Sequence, residues 1–205
     1  MTADPRLERW LEALVAGPGL TAVRDTSEAR RVHLDDALVA AALVQDGPVV
    51  DVGSGGGSPG IPIAAARSEL HVDLLEAQRR TCSFLVRVAA DFPNVGVVCA
   101  RAEEYAGGDG REAYGTAVAQ ALAPPPVALE WCLPLVRLGG RVILLAGEVD
   151  LGRAALAAEA VGGGAPETVA LPGGTRRSLL LVAKARPTPE RFPRRPGAAR
   201  KRPLA

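Results

Sequence analysis

Apolar residues recur along the chain with two periods. Near the N-terminus the spacing is helical: Leu7, Trp10, Leu11 and Leu14 share one face and predict a helix over 5–16, closed by the breaker Gly17-Pro18-Gly19. A second helix is expected over 26–44, with Ser27 as its N-cap, Glu28 in the first turn and Val32, Leu34, Leu38, Val39 and Leu43 as apolar surface. From Pro48 the texture changes to short apolar runs separated by helical stretches. Val49-Val50-Asp51-Val52 reads as a buried strand, followed by strands over 71–75 (ending at Glu76), 95–99, 116–119 and 141–145, the last entered through the turn Gly139-Gly140. The helices between them run through Ile63 to Arg67, over 78–91 with Phe84, Leu85 and Val88, and over 127–136 after the rigid Pro124-Pro125-Pro126. A helix near 151–160 then precedes strands at 167–171 and 179–183, joined only by Pro172-Gly173-Gly174.

Alternating strands and helices imply a mostly parallel sheet covered on both faces. The closing hairpin places an antiparallel final strand in it. The expected organisation is an N-terminal helical extension (1–46), an α/β domain (47–185) and a Pro/Arg-rich tail (186–205) that is extended or disordered.

Composition narrows the function classes. Of 205 residues 48% are apolar but only 3% aromatic, so the core must be built from Val, Leu and Ala. No apolar run approaches the roughly 20 residues needed to cross a bilayer. The charged start, residues 1–9, lacks a signal-peptide core, so a cytoplasmic protein is expected. Cys82, Cys99 and Cys132 form neither a CxxC pair nor a zinc spacing; they read as buried reduced thiols, and no metal site is expected. The net charge of +1 hides an asymmetry. From Arg186 to the end, seven basic residues face the single acid Glu190, a local charge of +6 that leaves −5 on residues 1–185. Such a tail either neutralises phosphates or serves as a solubilising terminus.

The chemistry-bearing segment is Asp51-Val52-Gly53-Ser54-Gly55-Gly56-Gly57-Ser58-Pro59-Gly60, between a strand and a helix. Glycines there permit positive φ and close approach of a ligand to the backbone. In an open α/β sheet this loop lies at the carboxyl ends of the strands, where ligands bind. Glu76, ending the second strand, can accept hydrogen bonds from both hydroxyls of a ribose. The loop also matches the dinucleotide pattern GxGxxG through Gly55, Gly57 and Gly60, which keeps an NAD-dependent oxidoreductase open. Asp51 argues for a different adenosine cofactor, since a carboxylate repels a pyrophosphate but suits the ammonium of a methionine-like ligand. Ala102-Glu103 either borders an adenine or simply supplies the acid of a helix start. No catalytic His or Cys constellation is found.

With these residues in place the chain resembles the RsmG (GidB) family, class I S-adenosylmethionine-dependent methyltransferases of Rossmann-like fold that methylate N7 of a guanine in small-subunit (16S) ribosomal RNA. The resemblance runs from about Leu20 to the C-terminus and is most specific at the loop's ending Pro59-Gly60-Ile61-Pro62. It continues in Arg30-Arg31-Val32-His33-Leu34-Asp35-Asp36-Ala37-Leu38, Leu74-Leu75-Glu76, Arg101-Ala102-Glu103-Glu104, Glu130-Trp131-Cys132-Leu133-Pro134-Leu135 and Phe192-Pro193-Arg194-Arg195-Pro196-Gly197. It implies that Gly53, Ser58, Ala102 and Glu103 contact S-adenosylmethionine and that Glu76 holds its ribose; Asp51, Gly55, Gly57 and Gln120 complete the expected cofactor-binding set. It further implies that His33, Arg194, Arg195, Arg200, Lys201 and Arg202 meet ribosomal RNA, although a lone His on an apolar helix also serves as a packing residue. Two positions depart from the family. Gln120 stands where the family usually has Arg, and Ala146 where it usually has Lys, so two positive charges are missing where RNA would approach. A diverged member with another acceptor, or one that only binds, is the alternative these departures raise.

Overall fold

The computed structural model describes residues 4–172 and 177–205. Residues 1–3 of the charged start, and Gly173-Gly174 of the hairpin turn, lie outside the described residues.

α1 (Pro5–Ala16) forms as its periodicity predicts, with Leu7, Trp10, Leu11 and Leu14 buried and the Asp4 side chain capping the Arg6 N–H. The second helix departs from expectation. It starts at α2 (Thr26–Arg30) with Asp25, not Ser27, as N-cap, because the Asp25 carboxylate reaches the Glu28 N–H. It then widens into a π-turn over Arg31–Asp35 before α3 (Asp36–Leu43). A π-turn inserts a residue into the helical ladder and so re-aims nearby carbonyls. β1 (Val49–Val52), α4 (Gly60–Ala66), β2 (Val72–Glu76), α5 (Arg79–Ala89), β3 (Val95–Cys99) and α6 (Ala102–Ala106) follow. β4 (Tyr114–Gln120), α7 (Pro125–Cys132), a 3₁₀ turn (Leu133–Leu135) and β5 (Val136–Ala146) continue the alternation. α8 (Leu151–Ala160), β6 (Glu167–Ala170), β7 (Ser178–Ala183) and α9 (Ala198–Lys201) complete it.

The strands form one sheet in the order β3-β2-β1-β4-β5-β7-β6. β1 to β5 run parallel, and β7 is antiparallel to both of its neighbours, as the hairpin requires. β7 inserts between β5 and β6 instead of closing the edge. β5 begins earlier than the Gly139-Gly140 turn suggested. The glycines sit inside it as a bulge: Gly139 takes φ +82, and a Cβ on Gly140 would lie 2.3 Å from the Gly115 carbonyl.

Two apolar cores cover the sheet. One joins α1, α3, α4 and α5 to the face that carries Val49 and Val72. The other joins α7, α8 and the C-terminal segment to the face that carries Val50, Val52 and Val142. The tail is therefore not the extended or disordered segment its composition suggested. Phe192 is buried, Arg111 donates to the carbonyls of Phe192 and Thr188 at 2.7 and 2.9 Å, and α9 packs on α7. The expectation for the cysteines also fails in part. Cys82 and Cys99 form a disulfide with Cα atoms 5.9 Å apart, and Cys132 is the buried thiol. The parallel register that sets Glu76 beside Cys99 brings the end of β3 under the first turn of α5, a neighbourhood that a separation of 17 residues does not advertise. Among the described residues no helix is long and apolar enough to cross a membrane, and no cluster of His, Cys, Asp and Glu could hold a metal.

Candidate active site

The carboxyl ends of β1, β2, β3 and β4 open into a cavity of about 410 Å³. Gly53, Glu76, Ala102, Glu103 and Gln120 line it, five of the nine residues assigned to the cofactor, together with Trp131 and Arg200. Glu76 does two jobs there. Its carboxylate accepts the Gly55 N–H at 3.1 Å and the Gln78 N–H at 2.8 Å, which fixes the loop against the second strand. Each carboxylate oxygen keeps a further lone pair for a ligand hydroxyl. Gly53 sits at φ +70, and a Cβ there would come within 2.3 Å of the Leu122 side chain on the opposite wall. The loop therefore needs glycine at this point for both its backbone conformation and its clearance.

The other four cofactor candidates lie behind the cavity wall. Gly55 and Gly57 adopt φ +51 and +98, but the loop's far side is packed by α1: Trp10 donates its indole N–H to the Gly56 carbonyl at 2.8 Å, and a Cβ on Gly56 would meet the Leu14 side chain at 2.0 Å. Part of the glycine content thus serves the N-terminal helix. Ser58 Oγ lies 2.9 Å from the His33 carbonyl and 2.7 Å from Gln120 Oε1. Gln120 Nε2 in turn donates to the Val32 carbonyl at 2.9 Å. The carbonyls of the π-turn thus hold Ser58 and Gln120 in place.

Asp51 is placed differently from the sequence reading. Strand alternation puts it on the α4 face with Val49, fully buried, where Oδ2 accepts the Gly60 N–H at 3.0 Å and Oδ1 has no partner. A Cβ on Gly60 would come 2.9 Å from the Asp51 side chain, so this glycine is what lets α4 start directly over the acid. Burial pushes the Asp51 carboxyl up to about 7 from its ordinary 3.8. The folded state then holds this proton across a range where the unfolded chain has released it. The resulting stability is fully present below about pH 4, declines as pH rises, and is lost above about pH 7, at up to about 1.4 kcal/mol per pH unit. Asp51→Asn keeps an acceptor for Gly60 and should flatten that decline. Denaturant titrations at pH 5 and pH 8 check this; an equal pH dependence in both proteins would refute it.

A second cavity of about 360 Å³ adjoins the first and shares Gln120, Ala121 and Leu122 with it. Val32, Pro124, Pro125, Ala146, Glu148, Leu171 and the pair Asp36–Arg177 are among the other residues of its lining. Sequence reasoning missed that pair. Asp36 is 4% exposed and lies in the motif it had singled out, but Arg177 immediately precedes β7, 141 residues away. Ser178 pairs with Ala146 across the sheet, so Arg177 puts a cation in the cavity where position 146 lacks one.

The assigned RNA-facing residues separate into two groups. His33 turns inward: Nε2 lies 2.8 Å from Thr21 Oγ1, Nδ1 is buried, and burial lowers the ring's pKa. Arg194 forms a two-pronged ion pair with Glu130 on α7, which is 2% exposed. Arg200 is exposed along one edge and stacks its guanidinium 5.2 Å from the Trp131 ring centre. Arg195, Lys201 and Arg202 face solvent. Between the last two arginines of the tail's first half and α9, the Gly197 N–H donates to Glu103 at 2.9 Å, so the tail closes one side of the first cavity.

Three comparisons bear on this geometry. The model of the GidB family, rRNA small subunit methyltransferase G, matches residues 6–165. A ribosomal RNA small subunit methyltransferase G from Symbiobacterium thermophilum is 41% identical over 216 residues, covering 97% of this chain and 86% of that protein. One from Moorella thermoacetica is 38% identical over 197 residues, covering 90% and 82%. Among solved structures, the apo form of the S-adenosylmethionine-dependent methyltransferase SibL superposes with a TM-score of 0.64 at 16% identity, over 86% of this chain and 62% of that one, a likeness of fold.

Proposed function

The chain belongs to the rRNA small subunit methyltransferase G family, and from that premise we propose that it transfers a methyl group from S-adenosylmethionine to N7 of a guanine in small-subunit ribosomal RNA, in the cytoplasm. The observation that carries this reading is the pair of adjoining cavities at the carboxyl ends of the strands, the first walled by the glycine loop and Glu76, the second joined to it at Gln120, Ala121 and Leu122. One cavity suits a cofactor and the other an acceptor base.

The residues of the first cavity fit an adenosine ligand. Glu76 would accept hydrogen bonds from the ribose hydroxyls, the backbone at Gly53 would allow close approach, and Ala102 and Glu103 would border the base. Asp51 acts from behind, by seating the loop on α4. When bound, S-adenosylmethionine supplies a methyl group already activated on a sulfonium. Guanine N7 has a free lone pair, so no proton must leave before it attacks. The chain's part is then to align donor and acceptor and to exclude water, a matter of proximity and orientation. A general base is unnecessary. Gln120 fixes the shared wall because the π-turn and Ser58 hold its amide at both ends. Arg195, Lys201 and Arg202 are among the solvent-facing cations of the tail available to RNA phosphates.

The test is transfer of labelled methyl to small-subunit RNA that lacks the modification, followed by nucleoside digestion. Label in 7-methylguanosine is expected. Clean, folded protein with excess cofactor that transfers nothing would sink the proposal. Calorimetric titration with S-adenosylhomocysteine and, side by side, NAD separates the cofactor from the acceptor; heat with NAD alone would reverse the assignment.

A further inference from the structure

We infer that Asp36 and Arg177 read the Watson–Crick edge of the acceptor guanine, an inference that rests on the methyl transfer proposed above. Asp36 reaches the second cavity from the start of α3, and Arg177 reaches it from the residue before β7. They meet there as an ion pair with the Asp36 side chain 6% and the Arg177 side chain 22% exposed. Burying two charges is costly, and a pair of apolar residues would tie the helix to the sheet at no such cost. Placement at a cavity that shares its wall with the cofactor cavity gives the pair a chemical use.

Gln120 and Glu148 are the other polar side chains of the lining, and Pro124, Pro125, Leu122 and Leu171 supply apolar surface that suits the faces of a purine. Guanine presents an acceptor, O6, beside two donors, N1–H and the N2 amino group. A guanidinium next to a carboxylate is the complementary pattern: Arg177 donates to O6 and Asp36 accepts from N1–H and N2–H. Adenine presents a donor where O6 stands and an acceptor where N1–H stands, so it meets like against like at both positions. With its pyrimidine edge held at Asp36 and Arg177, the purine turns its imidazole ring, which carries N7, away from the pair and toward the shared wall. The N7 lone pair takes no part in this recognition and stays available. Reading the edge of an unpaired base requires the nucleotide to leave its stack, as in other enzymes that act on a base.

Removing the N2 amino group tests this directly. Acceptor RNA carrying inosine in place of the mapped target guanine lacks the donor that Asp36 would accept. Wild-type kcat/KM is expected to fall by about tenfold to a hundredfold on inosine RNA, the discrimination a good bidentate contact gives. Asp36→Asn should lose rate on guanine RNA, with the guanine-to-inosine ratio moving close to one. Arg177→Gln should lower kcat/KM on both RNAs alike, since inosine keeps O6. Affinity for S-adenosylhomocysteine, measured on the same preparations, shows that each variant is folded and should stay within about threefold of wild type. An Asp36→Asn protein that binds the cofactor but keeps the wild-type preference would overturn the inference and leave methyl transfer standing. A wild-type protein that binds cofactor and methylates neither RNA would instead overturn the function on which the inference rests.

Discussion

Arg194→Ala is expected to lower the unfolding free energy by about 3 kcal/mol and the melting temperature by about 10 °C. Glu130 is 2% exposed on α7, and both of its carboxylate oxygens are taken by the Arg194 guanidinium. The same guanidinium donates to the Arg202 carbonyl at 2.8 Å, so it ties the two ends of the tail's last turn to each other and to the domain. Truncation leaves a buried carboxylate with no counter-charge, and that uncompensated charge dominates the cost. The double change Glu130→Met with Arg194→Met removes both charges and should recover most of the loss, which separates electrostatics from lost contact. Thermal unfolding of the three proteins checks this; a single-variant loss below about 1 kcal/mol would show that the pair is worth no more than an exposed one. Release of the tail also frees Gly197 from Glu103, so a weaker cofactor affinity should accompany the lower melting temperature.

Glu76→Ala should weaken S-adenosylhomocysteine binding by about a hundredfold to ten-thousandfold. Two hydrogen bonds to a charged acceptor, at about 1.5–3 kcal/mol each, disappear from the ribose. The change also unties the Gly55 and Gln78 amides that the carboxylate holds at 3.1 and 2.8 Å, so part of the loss is preorganisation of the loop. Glu76→Gln keeps one acceptor oxygen and exchanges the other for a donor. It should lose less, about tenfold. Isothermal titration gives both numbers, and a melting curve confirms that the fold survives. An alanine variant that binds within about threefold of wild type, with unaltered stability, would mean that this carboxylate only braces the loop.

The sequence carried more of the cofactor site than of the acceptor site. The strand-loop-helix around Gly53 and the acid ending β2 are local signals, written in consecutive residues, and the structure brings both to one cavity. Asp51 shows the limit of that reading. Its place beside the glycines suggested a ligand contact, but strand alternation turns it to the α4 face, which a four-residue strand buried on both sides does not reveal by pattern. The second helix shows another: periodicity found the helix, while the π-turn at 31–35, which holds Gln120 and Ser58, depends on side chains arriving from β4 and the loop.

By itself, then, the amino-acid sequence determined the order of strands and helices, the mostly parallel sheet with its final hairpin, and the glycine-rich loop after the first strand. Those features follow from hydrophobic period, turn residues and short motifs, all of which act within a few residues along the chain. Only the tertiary structure decided the rest. The Cys82–Cys99 disulfide depends on the register of β2 with β3. The basic tail read as solvated charge, yet Arg194 and Phe192 anchor it, because buried Glu130 and the apolar surface of α7 wait for it across the fold. The cation that position 146 lacks comes from Arg177, the residue before the neighbouring antiparallel strand. In each case the deciding interaction joins residues distant in sequence, and their meeting is set by sheet order and strand register, which no local pattern encodes.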